Sequence, residues 1–91
     1  MFEWEPRKAE ANAAKHGVSF EEASTVFRDP LGRIVDDPRH SLGERRYVLL
    51  GLSDRQKLLA VMFTEQEETI RIISARRATR RERKGYEEGT R

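Results

Sequence analysis

Apolar and polar positions follow two different periods along this chain, and the points where the period changes mark its elements. Phe2-Glu3-Trp4 alternates, which predicts a short first strand. Pro6 suits the first turn of a helix, where a missing N–H costs nothing. The alanine-rich stretch from Arg7 to His16 has high helix propensity, and Gly17 supplies a left-handed stop. Ser19-Phe20-Glu21-Glu22 matches a capping box, with Ser19 as the cap and Glu22 reaching back to it. Val18 and Ala23 occupy the hydrophobic-staple positions around it. Phe20, Ala23 and Phe27 recur on one face of this second helix, which Asp29-Pro30 ends.

Beyond Pro30 the texture changes to strands. Arg33-Ile34-Val35 is a short β candidate, and Asp37 to Gly43 reads as a loop. Arg46 to Leu52, Lys57 to Thr64 and Thr69 to Ala75 predict three strands, with turns at Ser53–Gln56 and Glu65–Glu68. Short polar turns between them imply an antiparallel meander. Thr79-x-x-Glu82 is a second capping box and opens a closing helix over Arg80–Glu88, with Gly89 beyond it. The order is β-α-α-β-β-β-β-α. It predicts an α+β fold: an antiparallel sheet with two N-terminal helices and one C-terminal helix. At 91 residues the chain makes one domain, residues 1–91.

Charge adds what the pattern does not. Residues 1–69 carry ten Lys/Arg against thirteen Asp/Glu, whereas residues 70–91 carry eight against three. A protein of net charge +2 has gathered its cations at one end. An anionic partner, nucleic acid first, is the natural reading. The absence of cysteine excludes disulfides and thiolate ligands and fits a reducing compartment. No run of apolar residues has the length of a membrane span or signal peptide, so a cytoplasmic protein without a membrane partner is expected. No His/Asp/Glu cluster has metal spacing, and neither a Gly-rich phosphate loop nor a Ser-His-Asp arrangement is present; no metal or cofactor is expected.

Several blocks resemble the BrnT family of bacterial toxins. They are Phe2-Glu3-Trp4-Glu5-Pro6, Asn12, Lys15 to Ala23, Asp29-Pro30, Asp37-Pro38, Glu44 to Tyr47, and Ile70 to Ala78 continuing through Thr79 to Tyr86. Glu5 stands where the family pattern suggests Asp, a departure that bears on the capping of the first helix. The resemblance implies a RelE-like fold and metal-independent ribonuclease activity that inhibits translation. It also implies a cognate BrnA-like antitoxin of the ribbon-helix-helix, DNA-binding type, joined to the toxin in a hetero-oligomer.

Such cleavage needs the ribose 2′-OH deprotonated, the phosphate charge stabilised and the 5′-oxygen protonated. Arginine suits the second role through its planar fork. Arg71 sits among strand residues and opposite Ile70 and Ile72; it is either a phosphate ligand or half of a cross-strand ion pair. Arg76 and Arg77 lie where strand meets helix; one of the two is expected only to pair with an acid, and Arg76 is the catalytic choice. Lys15 and His16 are the proton-transfer candidates, although charge at a helix C-terminus explains both without catalysis. Arg77, Arg80, Arg81, Arg83 and Lys84 are candidates for RNA binding, against a plain solvated helix face. Tyr86 is a base stacker or a packing anchor, Trp4 a stacker or core residue, His40 a weaker loop candidate. Glu3, Glu21 and Glu22 read as capping or surface acids. A nucleic-acid-binding module without catalysis, or a domain whose basic helix only docks an acidic protein, would carry the same charge pattern.

Overall fold

The computed structural model describes residues 1–36 and 45–89. Strand β1 is Phe2–Glu3, followed by helices α1, Pro6–His16, and α2, Phe20–Thr25, with a 3₁₀ turn over Val26–Arg28. Strands β2, Arg33–Asp36, β3, Tyr47–Leu52, β4, Leu58–Gln66, and β5, Thr69–Arg77, lead to α3, Arg80–Gly89. The expected α+β order holds. The loop from Asp37 to Gly43, with His40, lies outside the described residues.

The five strands form one sheet in the order β1-β5-β4-β3-β2. β2 to β5 pair antiparallel, as the short turns require, while β1 returns beside β5 in parallel. β4 and β5 run further than the hydrophobic pattern suggests. Glu65 and Gln66 pair with Ile70 and Thr69, so the turn shrinks to two residues. At the other end Arg76 and Arg77 are still strand, opposite Ala60 and Leu59.

One irregularity decides how β5 presents its side chains. Phe63 pairs with Ile72 but Met62 pairs with Ser74, which leaves Ile73 as an extra residue, a β-bulge. Without it, Ile72 and Ala75 would face opposite sides, being three residues apart. With it, both are buried in the same core, at 1% and 0% exposure.

That core lies between the sheet and α1–α2. Leu49, Leu59, Val61 and Phe63 meet Val18, Phe20, Ala23 and Val26. Its rim is aromatic: Phe2, Phe27 and Phe63 form an edge-to-face chain with centroids 5.0 Å apart at each step, and Trp4 meets Phe20 edge-on at 6.0 Å. Phe27 falls in the 3₁₀ turn rather than in α2, and it still packs on the core. Asn12, on the inward face of α1, clamps that helix to β5. Its Nδ2 donates to the carbonyls of Val18 (3.0 Å) and Ala75 (2.8 Å), and its Oδ1 accepts from Ala75 N–H at 3.1 Å. Gly17 takes φ 70°, the left-handed conformation that ends α1.

The two capping boxes close differently. Ser19 Oγ accepts from Glu22 N–H at 3.0 Å, but the Glu22 carboxylate does not return to Ser19. It is buried and accepts the Ser53 hydroxyl at 2.7 Å, tying α2 to the β3–β4 turn. At α3 the box is complete. Thr79 Oγ1 accepts from Glu82 N–H at 3.1 Å, and Glu82 Oε1 accepts from Thr79 N–H at 2.8 Å.

Candidate active site

The bulge at Ile73 places Arg71 and Arg76 on the same side of the sheet. Their β4 partners, Thr64 and Ala60, are four residues apart on a strand with regular alternation. That side faces away from α1 and α2. The two arginines are roughly 13 Å apart along the strand, at about 3.4 Å per residue. Between them the same face carries Ser74, whose hydroxyl points to Met62 Sδ at 3.1 Å.

Each arginine has an acid, on different terms. Arg71 lies opposite Glu3 of β1, and its Nη2 stands 3.5 Å from Glu3 Oε2, with side chains 60% and 49% exposed. Arg76 forms a two-pronged pair with Glu82, Nη1 to Oε1 at 2.8 Å and Nη2 to Oε2 at 3.1 Å, with side chains 30% and 27% exposed. The expected division between Arg76 and Arg77 is thereby reversed: the acid pair belongs to Arg76, the catalytic choice, because Glu82 in the first turn of α3 comes within reach of it and not of Arg77. The hydrogen bonds from Arg76 hold the Glu82 carboxyl below its ordinary range against the opposing effect of burial, helped by Thr79 N–H. The same bonds push the Arg76 guanidinium higher still. A guanidinium has five N–H donors. Glu82 takes two and the Arg77 carbonyl accepts a longer bond at 3.3 Å, so Arg76 still has donors for an anion.

Polar fastenings hold α3 on that outer side. Tyr86, its buried residue, donates its hydroxyl to Asp29 Oδ2 at 2.7 Å. Arg33 Nη1 donates to the Gly85 carbonyl at 2.7 Å. Asp29 also accepts Leu52 N–H at 2.8 Å and Leu31 N–H at 2.9 Å. Burial works against the Asp29 charge, but these three donors outweigh it and lower the carboxyl's pKa. Burial first, and then the bond to Asp29, push the Tyr86 phenol up to about 12. Its ring is a packing anchor here, turned away from solvent. Glu82 is spent inward, so the outward positions Arg80, Arg83 and Lys84 are exposed cations without an acid among them. Arg77 and Arg81 are exposed as well, and no hydrogen bond or ion pair among the described residues engages the Arg77 side chain.

Lys15 and His16 end α1, with Lys15 exposed and His16 half-buried. That helix lies against the core side of β5. Among the described residues, no hydrogen bond or ion pair joins either residue to Arg71 or Arg76. Sequence reasoning missed three positioning residues: Asp29, noted only as a helix end; Ser53, the partner of Glu22; and the bulged Ile73. The adjacent Ile72-Ile73 pair, which breaks the alternation of β5, was the available signal for the bulge. Among the described residues, no three His, Cys, Asp or Glu side chains converge in a way that could hold a metal ion. No described helix is long and apolar enough to cross a membrane.

Comparison with known proteins bears on the family and the fold. A sequence profile described as "Ribonuclease toxin, BrnT, of type II toxin-antitoxin system" matches residues 4–82. The fold is similar to a 1.1 Å crystal structure of the Brucella abortus ribonuclease toxin BrnT, with a TM-score of 0.66 and 23% sequence identity. The match covers 88% of this chain and 99% of that one. No curated protein matches the chain.

Proposed function

The chain belongs to the BrnT family of ribonuclease toxins of type II toxin–antitoxin systems, and from that premise we propose that it is an endoribonuclease that cuts RNA without a divalent metal and so inhibits translation. A BrnA-like antitoxin of the ribbon-helix-helix type neutralises it in a hetero-oligomer. The observation that carries this reading is the bulge that brings Arg71 and Arg76 to one face, with the cationic side of α3 beyond them. An RNA backbone laid along β5 meets both guanidiniums.

In this arrangement the two arginines stabilise the charge of the phosphorane-like transition state. Arg71 trades a long, solvated contact with Glu3 for a phosphate. Arg76 is preorganised by Glu82, which fixes its plane but offsets part of its charge. Lys15 and His16 remain the titratable candidates for moving protons, since Tyr86 holds its proton too tightly and faces inward. They end a helix on the opposite side of the sheet, however, so the RNA must pass round the edge of β5 to meet them. Arg77, Arg80, Arg81, Arg83 and Lys84 carry the flanking phosphates, and the antitoxin covers the same cations.

The test is cleavage of an unstructured RNA by the purified toxin, freed of antitoxin, in EDTA and in Mg²⁺, beside growth on induction with and without the adjacent gene. Cleavage in EDTA and growth arrest relieved by the adjacent gene are expected. Cleavage that vanishes in EDTA and returns with Mg²⁺ or Mn²⁺ overturns the metal-free mechanism. No cleavage under any condition overturns the reading itself.

A further inference from the structure

A cavity of about 300 Å³ opens at the edge of the sheet beside Arg71. It exists because β1 is only two residues long. Trp4 and Glu5 leave the sheet after Glu3, while β5 runs on to Arg77 and bends at its bulge. The gap is lined by Glu3, Trp4, Glu5 and Lys8 on one side and by Arg71, Ile72 and Ile73 on the other.

The lining holds unspent chemistry. Trp4 packs edge-on against Phe20 yet remains half-buried beside the cavity, so an aromatic surface is rigidly held there. Glu5 occupies the cap position of α1 but makes no side-chain cap hydrogen bond. Among the described residues, neither Glu5 nor Lys8 makes a side-chain hydrogen bond or ion pair. Glu3, by contrast, is turned to Arg71.

We propose that this cavity is the nucleobase subsite next to the phosphate held by Arg71, with Trp4 as the stacking surface and the Glu5 carboxylate as the group that reads the base. Single-stranded RNA is recognised in this way, by stacking on an aromatic and hydrogen bonds to the exposed base edges. A carboxylate only accepts. Guanine presents two adjacent N–H donors, N1–H and N2–H, to a two-oxygen acceptor, whereas adenine and cytosine present one amino group beside an acceptor and uracil a single imide N–H. The subsite therefore selects guanine. Lys8 and Arg71 bind the phosphates on either side of it.

This inference rests on the ribonuclease reading for its ligand but is tested without cleavage. Trp4 is the only tryptophan in the chain, so its fluorescence reports on this cavity alone. The toxin is titrated with uncleavable 2′-O-methyl oligoribonucleotides that differ only in one base. The guanine oligomer quenches Trp4, and the adenine oligomer binds at least about tenfold more weakly, the discrimination a paired hydrogen bond to a base provides. Glu5→Gln, at an exposed position, stays folded and loses that preference. Arg71→Ala weakens both oligomers alike. Equal affinity for guanine and adenine, no quenching by any oligomer, or a preference that survives Glu5→Gln would overturn the subsite. A parent that cuts RNA without a fluorescence change keeps the ribonuclease and loses the subsite. Guanine-selective quenching without cleavage does the reverse.

Discussion

The two ends of β5 carry the same side chain under different restraint. Near its start, Arg71 stands in solvent at 3.5 Å from a Glu3 that is itself about half exposed. At its end, Arg76 is gripped through both Nη atoms by a half-buried Glu82 that also caps α3. An exposed pair of the first kind contributes roughly 0–1 kcal/mol. Breaking a pair of the second kind strands a carboxylate in a partly dry place, at about 1–3 kcal/mol. Arg71 is therefore free to serve a ligand, whereas Arg76 serves the fold and a ligand together.

The largest difference is expected where both duties fall on one residue. Arg76→Ala should lose RNA cleavage by about a hundredfold, the usual effect of removing a preorganised donor. It should also lower the unfolding free energy by about 1–3 kcal/mol, read by urea denaturation. A double-mutant cycle with Glu82→Ala should show strong coupling, and the matching cycle of Arg71 with Glu3 almost none. Equal coupling at the two ends would break the comparison.

A smaller effect is expected at the anchor that holds α3 beside Arg76. Tyr86→Phe removes the bond to Asp29 and should cost about 1 kcal/mol or somewhat more, because Asp29 keeps two other donors. The pH signature has a definite sign. The folded Tyr86 phenol lies above its ordinary 10.0, so its contribution is complete below pH 10 and fades as pH rises toward about 12. Asp29 and Glu82 lie below their ordinary 3.8 and 4.5, so their contribution is complete above those values and fades as pH falls below them. Thermal denaturation across pH should show both shoulders. Tyr86→Phe should erase the alkaline one and leave an acid one from Glu82 and from the two backbone bonds that Asp29 keeps.

The smallest effect on the toxin itself is expected on the outer cations of α3. Charge reversal at Arg80 and Arg83 leaves the fold unchanged and slows antitoxin association, most at low salt. An on-rate equal to the parent's in stopped-flow mixing would move the antitoxin off this face.

Much of this arrangement was legible in the chain. Helix propensity, start and stop residues and capping boxes located the three helices, and apolar runs between polar turns located the β3–β5 meander. The parallel return of β1 beside β5 was not legible, because a two-residue strand has too little pattern to show its partner. Nor was the destination of Glu22. Local spacing favours the capping box, but Ser53, distant in sequence, offers the carboxylate a buried partner instead. Thr79-x-x-Glu82 closed as its spacing suggests although Arg76 also engages the carboxylate, because Glu82 Oε1 accepts from Thr79 N–H and Arg76 Nη1 together. At the candidate site, the residue types were readable and the geometry was not. Counting along β5 puts Arg71 and Arg76 five residues apart and on opposite faces; only the bulge at Ile73 joins them.

Everything proposed for the site turns on Arg71 being a phosphate ligand and not a structural cation. Its most direct test is the rate of RNA cleavage in EDTA by the parent, Arg71→Ala and Arg71→Lys, each freed of antitoxin and checked by circular dichroism. An unchanged fold is expected, with a loss of about a hundredfold for Ala and only partial rescue by Lys, since a point charge does not replace the planar fork. A folded Arg71→Ala protein that cuts RNA at the parent's rate would contradict it.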